Sequence, residues 1–111
     1  MKISIENYQF TVVLEDNATA AALKEHLPMT LDMNELNGNE KYRYMPFSLP
    51  TDPYSPGMIQ AGDIMLYGDN CLVVFYKSFS TLNSYTKIGH IDNAEKLLAA
   101  VGTDDVQMVL R

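Results

Sequence analysis

The sequence predicts a mainly β protein, a barrel or sandwich of about eight short strands with two helices. Three observations carry this prediction. Apolar and polar residues alternate through most short segments, the period of a half-buried strand. Turn signals rich in Gly, Asn, Asp and Pro separate nearly all of those segments. Only two stretches show the three- and four-residue apolar spacing of a helix, too few for alternating βαβ units.

The elements follow in order. Ile3 and Ile5 share one side of a first strand. After Glu6-Asn7, Phe10, Val12 and Leu14 alternate with Gln9, Thr11 and Val13 in a second. Asp16-Asn17 stops that strand and caps a helix over Ala18 to Leu27, with Ala20, Leu23 and Leu27 on one face and Pro28 ending it. Met29, Leu31 and Met33 mark a third strand, and Asn37-Gly38-Asn39 a turn. Glu40–Met45 alternates again. Pro46 to Gly57, with four prolines, reads as a loop. Asp63–Tyr67 and Cys71–Tyr76 form the clearest hairpin, folded through Gly68-Asp69-Asn70. The polar stretch Lys77–Thr86 reads as a long loop and Lys87–Ile91 as a short strand. Asp92 or Asn93 caps a second helix carrying Ala94, Leu97, Leu98 and Val101, and Gly102 terminates it. Val106, Met108 and Leu110 make the last strand.

At 111 residues the chain is one domain able to bury a core without metal or disulfide staples. Its net charge of −6 opposes binding to nucleic acid, where clustered cations supply most of the affinity. Cys71 is the only cysteine, so no internal disulfide and no cysteine metal cluster can form. The N-terminal MKISIENYQF lacks the apolar region of a signal peptide, and the longest apolar run, Cys71–Tyr76, is far too short to span a bilayer. A cytoplasmic protein without membrane contact is the expectation.

A set of spaced motifs carries a family resemblance. These are Asp16-Asn17-x-Thr19-Ala20, Leu27-Pro28-Met29-Thr30, Gly38-Asn39-Glu40-Lys41-Tyr42, Pro46-Phe47-x-Leu49-Pro50, Gly62-Asp63-Ile64, Phe75-Tyr76 and Ser84-Tyr85-Thr86-x-Ile88-Gly89. Together they resemble the cyclophilin-like domain family of bacterial proteins of unestablished function, over nearly the whole chain. The resemblance implies a closed β-barrel of about eight strands with a helix capping each open end. It also implies two activities to weigh. Cyclophilins are prolyl isomerases, and Arg43-Tyr44-Met45-Pro46 is similar to the Arg-x-x-Pro stretch that carries their arginine, which favours a twisted amide over a planar one. Gln60-Ala61-Gly62-Asp63 is similar to a later glutamine segment, but the hairpin that follows aligns better with a strand pair beyond it. This chain is also shorter than a catalytic cyclophilin, has no tryptophan, and carries Tyr85 about where those enzymes have a pocket histidine. The family's association with flavodoxin-type proteins implies a redox protein as a partner.

The candidate residues each have a plainer reading. Arg43 and Lys41 share a strand face with Met45. If Tyr42 and Tyr44 turn inward, both cations are solvated on the outside; with the opposite parity a guanidinium faces the pocket and grips a carboxylate or amide. The tyrosines-inward arrangement is the expectation. His90, beside Gly89, reads as a structural histidine or as a polar contact, and His26 as a cation near a helix C-terminus. No third ligand makes either a metal site. Asp63 follows a glycine where a carboxylate accepts backbone N–H bonds, and Glu40 with Asp63 is either an acid/base pair or two structural acids. Cys71 has no adjacent cation and is expected to be buried and inert.

The aromatics are concentrated in the middle of the chain, several of them in the two loops, where they either line a cleft or seal the barrel. The leading expectation is a non-catalytic module binding a small molecule or short peptide, with no cofactor. Its cleft lies between the two loops, lined by Tyr44, Phe47, Met65, Tyr67, Phe75 and Tyr85, with Arg43 or His90 as polar contact. The alternatives are a weak prolyl isomerase using Arg43 and an interaction domain for a flavodoxin-type protein.

Overall fold

Residues 1–111 are described by a computed structural model. The elements are β1 (Lys2–Ile5), β2 (Tyr8–Leu14), α1 (Ala18–Lys24), β3 (Met29–Leu36), β4 (Glu40–Tyr44), β5 (Met58–Ile59), β6 (Asp63–Tyr67), β7 (Cys71–Phe75), β8 (Phe79–Ser80), β9 (Thr86–Ile91), a 3-10 turn (Ala94–Lys96) leading into α2 (Leu97–Val101), and β10 (Val106–Leu110). Eight strands close a barrel in the order β1-β10-β3-β4-β7-β6-β9-β2, and β5 pairs with β8 outside it. Every neighbouring pair is antiparallel. An eight-stranded barrel has an interior just wide enough for side chains to fill. Ile3, Phe10, Met33, Leu66, Leu72 and Ile88 belong to the buried cluster that fills it.

The two helices close the ends because of where the chain leaves and re-enters the barrel. α1 joins the end of β2 to the start of β3, and α2 joins the end of β9 to the start of β10. Leu23 of α1 and Leu97 and Val101 of α2 are buried in the same cluster as the barrel interior. Asn17 caps α1 as expected, its Oδ1 accepting the Ala20 N–H at 2.8 Å. α1 is shorter than its apolar spacing predicts. From His26 onward the backbone N–H groups bond three residues back, His26 to Leu23 and Leu27 to Lys24, a tightening that precedes Pro28. The second helix departs in another way: Asn93 is left-handed at φ 58° and its side chain caps nothing, so the segment starts as a 3-10 turn. Gly102 terminates it at φ 59°, donating to the Leu98 carbonyl.

Two expected loops are more ordered than their composition suggests. Met58–Ile59 pairs with Phe79–Ser80, and Tyr54 exchanges both backbone hydrogen bonds with Tyr85 at 2.9 and 3.0 Å. The prolines forbid a long strand here, but the paired positions contain none. These contacts fasten the two loops together over the outside of β6 and β7.

The parity of Glu40–Met45 is the reverse of the tyrosines-inward expectation. Lys41 pairs with Val74, and Lys41 and Met45 turn into the barrel, while Tyr42 and Tyr44 stand on its outer wall. Lys41 is 0% exposed. Its ammonium has three protons and three acceptors: Glu35 Oε1 at 2.8 Å, the Gly102 carbonyl at 3.1 Å and the Asp104 carbonyl at 2.6 Å. It also lies 5.0 Å from the ring centre of Tyr76, whose hydroxyl donates to the same Glu35 oxygen at 2.6 Å. Glu35 Oε2 accepts the Gly38 N–H at 2.7 Å. Burial works to raise the Glu35 pKa, and the bonds from Lys41, Tyr76 and Gly38 outweigh it, leaving the carboxyl lowered. The network ties the β3–β4 hairpin to the connection that follows α2.

Candidate functional site

The outward residues of β4, β7 and β6 form a second apolar surface distinct from the barrel interior. Met65, Cys71, Val73 and Phe75 are buried on it with Ile59 and Tyr85, and Tyr42 and Phe79 pack against them. Phe75 meets Tyr85 edge-on at 5.4 Å and Phe79 at 5.7 Å between ring centres, so part of this wall is sealed by the loops.

The rest stays open as a cleft of about 330 Å³. β7 lies between β4 and β6 in the sheet, so Cys71 and Val73 form its floor. Tyr42 and Tyr44 of β4 stand on one side, edge to face with centres 6.1 Å apart. Tyr67 and Tyr85 stand on the other, 5.8 Å apart. Leu36, Glu40 and Asn83 complete the lining. Tyr44 is 57% exposed and Tyr67 46%, whereas Tyr85 is held almost wholly buried by its bridge to Tyr54.

Glu40 is the acid of this cleft. The residue is 9% exposed, no ion pair of the chain includes it, and its carboxylate oxygens are not among buried atoms left without a partner, so they open to the cleft. Burial, and next the negative charge of Glu35, push its pKa up to about 7. Burial, then the charge of Glu40, push the Cys71 thiol up to about 11, so it stays protonated at neutral pH and is a poor nucleophile, as expected.

Of the residues singled out in the sequence, Tyr44, Tyr67 and Tyr85 line this cleft, and Met65 and Phe75 belong to the apolar surface from which it rises. Arg43, Phe47 and His90 do not join them. Beyond the Asn34–Tyr42 pair, β3 and β4 part. Arg43 is exposed in a separate depression with Asp32, Met45, Pro46 and Phe47. Phe47 is stacked flat on His26 there, ring centres 3.6 Å apart. The arginine required by an isomerase therefore lies outside the tyrosine cleft.

His90 contacts Asp63 Oδ1 through Nδ1 at 3.0 Å, and Asp63 Oδ2 accepts the Gln60 N–H at 2.9 Å. Both are satisfied within a turn whose Gly62, at φ 100°, has no room for a Cβ beside Ala94 and His90. Glu40 and Asp63 stand on β4 and β6 with β7 between them, so they form no carboxylate pair. No group of three His, Cys, Asp or Glu side chains is gathered to hold a metal ion. No helix is long and apolar enough to cross a membrane.

Sequence reasoning missed Glu40 and Tyr42 as lining residues. The turn at Asn37-Gly38 offered the signal. Both residues take positive φ, 55° and 68°, and the hairpin register then sets Glu35 directly opposite Lys41. An acid–base pair across a hairpin puts Lys41 beside Glu35, and Glu40 with the tyrosines on the other face.

No curated protein and no solved structure shows a significant match to the chain. The model of the Cyclophilin-like family, by contrast, matches residues 3–111. With the closed antiparallel barrel and its two end-capping helices, that match over nearly every residue means that the chain belongs to the cyclophilin-like family.

Proposed function

We propose that the chain is a non-catalytic binding module that takes a small molecule or short peptide in the tyrosine-lined cleft outside its barrel. The observation that carries this reading is the convergence of Tyr42, Tyr44, Tyr67 and Tyr85 over an apolar floor, with Tyr44 and Tyr67 left substantially exposed. Exposed aromatics lose apolar contact with nothing in return unless something covers them, and a concave apolar surface with a few polar groups is the usual form of a ligand site. The cleft has one carboxyl group, a protonated thiol and no basic side chain among its lining residues. The protonated thiol, with no base beside it, argues against nucleophilic chemistry at this cleft, and the apolar floor and tyrosine walls favour binding.

Thermal unfolding in the presence of a broad metabolite and short-peptide library tests the reading. Stabilisation is expected from a subset of compounds, about 2.7 kcal/mol at a ligand concentration 100 times Kd. The double variant Tyr44→Ala/Tyr67→Ala is expected to lose it. A library that moves no unfolding midpoint overturns the proposal.

A further inference from the structure

We propose that the ligand of this cleft carries a cationic nitrogen, an ammonium or quaternary ammonium group, packed against the faces of Tyr42, Tyr44 and Tyr67 and paired with the Glu40 carboxylate. The inference rests on the reading of the cleft as a binding site and adds the chemical class of its occupant.

The argument starts from Glu40. Most of the Glu40 side chain is buried, but its carboxylate is not a buried group left without a partner, so its oxygens reach solvent through the cleft. No cation and no N–H donor of the chain engages that carboxylate, and it is the one charged group in a cleft lined mainly by tyrosines and apolar side chains. The two cations nearest in sequence are not free to serve. Lys41 points through the sheet to the barrel interior with all three protons committed, and Arg43 opens into the other depression. The acid therefore faces the cleft with no cation of the chain beside it. Tyrosine faces carry the negative side of the ring quadrupole, and several grouped around an acid attract a weakly hydrated cation while offering nothing to an anion. The overall charge of −6 acts in the same direction.

The groups around Glu40 make the binding pH-dependent. Glu35 on β3 adds negative charge, Cys71 at the start of β7 and Tyr76 just past its end stay neutral with raised pKa values, Tyr42 flanks it on its own strand, and Lys41 lies beyond the sheet. With Glu40 titrating at about 7, its ionised fraction rises about tenfold between pH 6 and pH 8, and the affinity for a cation is expected to rise several-fold over the same range.

Choline and its neutral isostere 3,3-dimethylbutan-1-ol, in which carbon replaces the charged nitrogen, separate charge from shape. Each is titrated into the isotope-labelled chain at pH 8 and followed by NMR. Choline is expected to shift the resonances of Tyr42, Tyr44 and Tyr67 with an affinity about tenfold above that of the alcohol. Glu40→Gln is expected to narrow the gap between choline and the alcohol several-fold, the remaining preference for choline being the attraction of the tyrosine faces for its charge. Equal affinities of the two probes for the native chain overturn the cationic class and leave the cleft intact as an apolar site. No shift from either probe also overturns the proposal, and the library screen alone then decides whether the cleft binds anything.

Discussion

Replacing Lys41 with alanine is expected to cost about 3–5 kcal/mol of folding stability, the range for removing one partner of a buried ion pair. The side chain has no exposed surface, and its ammonium is the only positive charge on the Glu35 carboxylate. Without it, the carbonyls of Gly102 and Asp104 lose their donor and Glu35 keeps only the Tyr76 hydroxyl and the Gly38 N–H. Lys41→Met restores the volume but not the charge, so it is expected to remain well below the native chain. Lys41→Met/Glu35→Gln, which removes both charges, is expected to recover part of the loss. Glu35 also sets an acid limit. Its folded pKa is lowered, so its contribution is present above the unfolded value of about 4.5 and is lost as pH falls through the folded value. Urea unfolding at pH 7 measures all three variants, and a Lys41→Ala loss under about 1 kcal/mol would show that the network is not stabilising in this way.

Glu40→Gln is expected to do the opposite. The folded pKa of Glu40, about 7, lies above its ordinary 4.5. The fold therefore favours the protonated acid: that contribution is complete below about pH 4.5 and is lost as pH rises to about 7. Glutamine takes no proton and avoids the loss. Relative to the native chain, the variant is expected to gain roughly 2–3 kcal/mol between pH 4.5 and pH 8, as the shift of the acid implies. Paired unfolding curves at the two pH values check this, and a difference between variant and native chain that does not change with pH contradicts it. A residue whose replacement stabilises the fold but removes a ligand contact is what a binding site leads one to expect.

Most of the barrel was legible in the alternation of its strands. Ile3 with Ile5, Phe10 with Val12, and Leu31 with Met33 each pack as their spacing predicts, because one face of each strand is plainly apolar. Glu40–Met45 failed that test for a physical reason. Each of its faces mixes charge with apolar bulk, so composition does not say which side meets the core. The structure settles it with a charge network that spans the β3–β4 hairpin and the segment after α2, contacts sixty or more positions apart in the chain for Gly102 and Asp104. The candidate site followed the same division. Tyr44, Tyr67 and Tyr85 were visible as a concentration of aromatics, but Tyr85 is placed by a bridge to Tyr54 that local sequence does not announce. Arg43 and His90 entered the expected site on chemical type alone, and the strand geometry assigns one to another depression and the other to Asp63.

The most direct test of the outer-wall cleft is native mass spectrometry of the chain purified without added ligand and equilibrated with a cell extract. The proposal predicts a small-molecule or peptide adduct on the native chain that is absent from Tyr44→Ala/Tyr67→Ala. A native chain that emerges at its bare mass, or an adduct undiminished on the double variant, contradicts it.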